Sequence, residues 1–175
     1  MRWLTFILLA VLTVSLQATV AGRTSWAGAR PDWVLVLVVF YALHARADDA
    51  MPAGWVAGAL ADLMTIERFG LLAVCYGLAA IVVCALRDWV FTRHPLTQFS
   101  ATLVCALLVQ VLWLAYRLVI GLPAGPAAAV FGSCLYTALW APPVHWVLLK
   151  MPRLLGIHAS QYAYARTPRV RGQRV

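Results

Sequence analysis

Residues 54–62 read Gly54-Trp55-Val56-Ala57-Gly58-Ala59-Leu60-Ala61-Asp62. At 3.6 residues per turn, Gly54, Gly58 and Asp62 fall on one helical face, with Ala57 and Ala61 beside them. Two glycines four apart let a neighbouring backbone approach closely, the small-xxx-small packing of membrane helices. An aspartate on the same face points into a bundle rather than into lipid. Burying an ionisable group there is costly, which makes Asp62 a functional candidate. A plainer reading competes with that one. Asp62 stands about one turn from Glu67-Arg68, so it reaches the outer interface and only caps a packing contact.

The rest of the chain puts this helix in a membrane. Of 175 residues, 63% are hydrophobic and 11% are charged, against about 25% charged in an ordinary soluble domain. Mean hydropathy is +0.83. Such a composition leaves too few charges to cover a soluble surface, and it excludes disorder and a disulfide-stapled secreted fold. The expected fold is an all-α integral membrane protein, a compact bundle of about six transmembrane helices. They are placed at 3–22, 31–45, 51–66, 69–86, 96–121 and 126–149 and form one domain over 1–150. Residues 151–175 form a basic, largely disordered cytoplasmic tail.

Each segment carries local signals. The first follows Arg2 and also has the layout of a signal peptide, with Thr19-Val20-Ala21 as a weak cleavage site interrupted by Gln17; retention is expected. Pro31-Asp32 opens the second, where proline suits the first helical turn and Asp32 adds negative charge at the helix's positive end. That segment covers only ~20–23 Å, so it should borrow flanking residues or sit beside thinned lipid. Asp48-Asp49 read as an inner loop paired loosely with Arg46. Pro123-Ala124-Gly125-Pro126 is a turn. In the sixth segment Pro142-Pro143 should kink or break the helix near Trp140.

The net charge is +8. Between apolar runs, cations read as topology signals and anionic-lipid contacts, not as a nucleic-acid surface. With the N-terminus inside and six spans, Arg2, Arg46, Arg87, Arg93, Lys150, Arg153, Arg166, Arg169, Arg171 and Arg174 lie inside. Arg23, Arg30, Arg68 and Arg117 lie outside. Both termini are therefore expected in the cytoplasm. The six cations from Lys150 onward are the expected contacts to anionic lipid. Arg117 lies at a depth similar to that of Asp62 and Asp32, which leaves an intramembrane Asp62–Arg117 or Asp32–Arg117 pair open; the plainer alternative is that Arg117 snorkels to the headgroups.

Chemistry beyond packing finds little support. Cys75, Cys84, Cys105 and Cys134 sit inside apolar runs and read as core residues. His44, His94, His145 and His158 fall at segment ends or in the tail, without metal-ligand spacing. Trp3, Trp26, Trp33, Trp55, Trp89 and Trp146 form an interfacial belt, while Trp113 and Trp140 lie deeper. There is no P-loop, no H-E-x-x-H, no nucleophile elbow and no intramembrane-protease motif. Neither an enzyme nor a cofactor or metal is expected.

The order Pro31-Asp32, then Gly54-x-x-x-Gly58-x-x-x-Asp62-Leu63, then Phe69-Gly70-Leu71 resembles the MreD family of bacterial rod shape-determining membrane proteins, best over residues 28–95. Thr65-Ile66-Glu67-Arg68 stand where that family usually has small residues or proline. The resemblance marks Pro31, Asp32, Gly54, Gly58, Asp62 and Gly70 as packing and interaction positions. It implies a non-catalytic inner-membrane scaffold of cell elongation. The implied partners are MreC, the actin-like MreB and the glycan polymerase and transpeptidase of lateral wall synthesis. The family is also similar in architecture to the substrate-binding subunits of energy-coupling-factor transporters. The alternative is therefore a small-molecule-binding transport subunit, which needs a polar pocket open to the outside.

Overall fold

The computed structural model describes residues 3–20, 29–64, 70–87, 94–122 and 126–151. Among them are six helices and no strand: α1 (Trp3–Val20), α2 (Trp33–His44), α3 (Ala47–Asp62), α4 (Leu71–Leu86), α5 (Pro95–Val119) and α6 (Ala127–Leu149). Two of them, α5 and α6, are long and apolar enough to cross a membrane by themselves, while α1, α2 and α4 are shorter apolar helices. At 1.5 Å per residue the 25 residues of α5 reach about 37 Å.

The short helix α2 is the axis of the bundle. Every residue from Val34 to His44 is buried, and α2 touches each of the other five helices. A helix that is apolar all round must be surrounded. Here the surrounding material is protein, so α2 needs neither extra length nor thinned lipid. Around it, α1 buries Phe6, Ala10 and Val14 along one stripe and exposes Leu4, Leu8 and Leu12 on the other. Phe6 meets Tyr41 of α2 edge-on, with ring centroids 4.9 Å apart.

The largest helix–helix contact is α3 on α4. Helix α3 begins at Ala47 and ends at Asp62, a frame earlier at both ends than the apolar run suggests. Asp48 and Asp49 lie in its first turn, where negative charge is favourable, and not in a loop. The Arg46–Asp48 pair is present at 3.4 Å but exposed on both sides, so it contributes little. Helix α4 starts after Gly70, whose φ of 106° is a left-handed conformation that suits glycine.

Helix α6 runs unbroken through Pro142 and Pro143. The prolines remove the amides that would bond the Ala138 and Leu139 carbonyls, yet the helix is held to α2 on both sides of them. Thr137 Oγ1 accepts the Asp32 N–H at 2.9 Å, and His145 Nε2 lies 3.3 Å from the Val36 carbonyl. At the end of α6 the Lys150 ammonium sits 3.4 Å over the Trp146 ring, a pairing suited to a membrane–water boundary. Arg153, Arg166, Arg169, Arg171 and Arg174 lie outside the described residues, as do 65–69.

Candidate functional site

The helix termini organise the polar chemistry. In an apolar surrounding, the unpaired amides at a helix start and the unpaired carbonyls at its end need partners. This chain supplies them from other helices.

Asp62, the last residue of α3, is 2% exposed. Its carboxylate accepts from three amides at the start of α4: Gly70 N at 2.9 Å and Ala73 N at 3.0 Å on Oδ2, and Leu72 N at 3.1 Å on Oδ1. The negative charge also faces the positive end of the α4 dipole. Below it the glycines bring the backbones together. A Cβ on Gly58 would lie 2.4 Å from Ala73 Cα and 2.5 Å from the Leu72 carbonyl oxygen. One on Gly54 would lie 2.7 Å from Ala80 Cβ and 2.8 Å from the Tyr76 carbonyl oxygen. Gly77 of α4 answers from the other side, because the Trp55 ring lies where its Cβ would be. Gly54, Gly58 and Asp62 thus form one continuous face on α4.

A second cluster fixes the start of α2. Asp32 caps it, with Oδ1 accepting the Leu35 N–H at 3.1 Å. The other carboxylate oxygen accepts the Tyr76 hydroxyl of α4 at 2.5 Å. Gln17 of α1 accepts the Trp33 and Val34 amides at 2.9 and 3.1 Å. From α6, Ser133 accepts the Arg30 N–H at 3.1 Å, and the neighbouring Pro31 is fully buried. Asp32 therefore ties α2 to α4 directly and to α6 through its own amide. Tyr76→Phe should leave one oxygen of this buried carboxylate short of a donor and cost about 1–3 kcal/mol. The check is a lower melting temperature in detergent, with Tyr136→Phe on α6 as a control.

The end of α2 is held by Arg87 of α4, which donates to the Ala42 carbonyl at 3.4 Å and to the Ala45 carbonyl. His44 and His145 meet there edge-to-face, ring centroids 6.1 Å apart, with Phe40 stacked on His44. Residue types gave little hint of Tyr76, Thr137, Arg87 or His145. Gln17 did carry a signal, a lone amide in an apolar helix. His145 reads as a segment end by sequence, yet it is fully buried against α2.

Arg117 takes up neither of the pairs that the sequence leaves open. It forms no ion pair with Asp62 or Asp32; its guanidinium lies 4.5 Å over the Trp113 ring of its own helix. The carboxylates are occupied by amides and a hydroxyl, and a cation on α5 finds an aromatic face one turn away. Among the described residues, no three His, Cys, Asp or Glu side chains gather where a metal could be held. The arrangement closes helix ends and brings backbones together.

A family model described as rod shape-determining protein MreD matches residues 1–152. Comparison with curated proteins and with solved structures gave no match. The likeness to energy-coupling-factor substrate-binding subunits is therefore not shown, and the transport alternative gains no support from these comparisons.

Proposed function

The chain belongs to the MreD family of rod shape-determining membrane proteins, and from that premise we propose that it is a non-catalytic scaffold in the bacterial inner membrane. It links MreB and MreC to the glycan polymerase and transpeptidase that build the lateral wall. The observation that carries this reading is the family match over residues 1–152. The use of buried polar groups supports it. Asp32, Asp62, Gln17 and Arg87 are committed to helix ends, which leaves a largely apolar outer surface for lipid and partner helices. In a rod-shaped host whose only copy of the gene is depleted, cells should round up before they stop growing. Cells that keep their shape would contradict the reading.

The scaffold crosses the membrane six times with both termini in the cytoplasm. The support is the cation distribution together with the alternating run of the helices. Reporter fusions after Gly22, Asp49, Arg93 and Val175 should read out, in, in and in. An outside C-terminus overturns the topology.

The basic tail from residue 151 holds to the anionic inner leaflet, at about 1 kcal/mol per cation near the surface. Deleting residues 166–175 should leave folding and membrane insertion intact and weaken binding to anionic vesicles. Loss of insertion would show that the tail belongs to the folded unit.

A further inference from the structure

A cavity of about 140 Å³ lies between α4 and α5, at the end of the bundle where α2 stops. Leu43, Val83 and Cys105 line it and are buried. Leu86 and Val104 also line it and are 51% and 50% exposed. An opening with apolar edges on the flank of a membrane bundle faces acyl chains, not water. At the polar end stand Arg87, Thr97 and Ser100.

The walls decide what fills this space. Water needs two to four polar partners, which the apolar part does not offer. An empty void forfeits the dispersion contacts of every atom that lines it. A hydrocarbon chain entering from the bilayer satisfies both conditions. The tail gains little by itself, because lipid is as apolar as the walls. Selection therefore comes from the polar end. The Arg87 guanidinium is fixed beside the cavity by the Ala42 and Ala45 carbonyls. Thr97 and Ser100 lie in the first turns of α5, where the helix dipole favours an anion.

We propose that this cleft holds one acyl chain of a membrane phospholipid, with its anionic headgroup beside Arg87 and Thr97 at the start of α5; the Ser100 hydroxyl donates to the Thr97 carbonyl at 3.1 Å and only borders the site. The inference rests on the membrane placement of the family and is independent of which proteins the chain assembles with.

The test uses the full chain, purified in mild detergent and titrated with phosphatidylglycerol or with phosphatidylcholine. Bound lipid is counted by native mass spectrometry. Lipid held by the tail is common to all variants, so the site is read as the difference from the filling variant below: there the wild-type chain should retain one phosphatidylglycerol, preferred about fivefold, the attraction of one cation for an anionic headgroup. Ala101, which also lines the cavity, gives the filling variant: Ala101→Phe should lose both lipids at this site. Ser100 is exposed, so Ser100→Asp keeps the fold; it should keep the chain and lose the preference. Melting temperature reports whether each variant is folded, and Ser100→Asp decides alone if Ala101→Phe is not. Equal retention of the two lipids by the wild-type chain overturns the proposal. So does a folded Ala101→Phe with unchanged bound lipid, or Ser100→Asp with unchanged preference.

Discussion

Gly58→Leu should separate α3 from α4 and leave little folded protein in the membrane. The first added carbon already meets backbone, the Ala73 Cα and the Leu72 carbonyl oxygen, inside 2.6 Å. Backbone has no rotamer to move, so the helices must part. The cost should reach at least the ~1–3 kcal/mol typical of overpacked cores, and Gly58→Ala should already show part of it. Ala59→Leu, one residue round the same helix at a half-buried position, is the control and should be mild. Gly77 gives a sharper contrast, because what its Cβ would meet is the Trp55 side chain. Gly77→Ala should be relieved by Trp55→Leu, whereas no side-chain truncation on α4 should relieve Gly58→Ala. Membrane protein level and melting temperature in detergent read both outcomes. A Gly58→Leu chain with normal level and normal melting would show that α3 and α4 do not meet closely at Gly58.

Asp62→Leu should be nearly as damaging. It strips the acceptor from the Gly70, Leu72 and Ala73 amides, and each buried donor left unpaired costs about 1–3 kcal/mol. Asp62→Asn falls between. Its single oxygen can still take the Gly70 and Ala73 amides, but its NH2 then faces the Leu72 N–H, donor against donor, and the charge opposite the helix dipole is gone. A loss of about 1–2 kcal/mol is expected for Asn, within the range for a missing helix cap. Removing Arg117 in the same chain should not restore stability, since Arg117 stands over Trp113 and not beside Asp62. Restoration by the double change would show that the two charges do meet.

These residues show what a sequence discloses here. The shared face of Gly54, Gly58 and Asp62 follows from helix geometry alone, so the spacing is readable. The partner of that face is not. Asp62 is held by backbone amides, and backbone donors leave no trace in residue type. Side-chain types therefore point to Arg117 and are silent on the start of α4. The central place of α2 was hidden for another reason. An uninterrupted apolar run reads the same whether lipid or protein surrounds it, and Val34–His44 is enclosed by five helices. Pro142-Pro143 gave a local signal that contacts on either side overrode, through Thr137 and His145. Helix number and the family motif depend on hydropathy and order, which a sequence carries directly.

Affinity capture of the full chain from gently solubilised membranes of a rod-shaped host tests the scaffold most directly. The wild-type chain should bring down MreC together with wall-synthesis enzymes, and a Gly58→Leu chain recovered in equal amount should bring down much less. Capture of the wild-type chain without MreC, or with an energy-coupling ATPase in its place, would contradict the assignment of this protein to the elongation machinery.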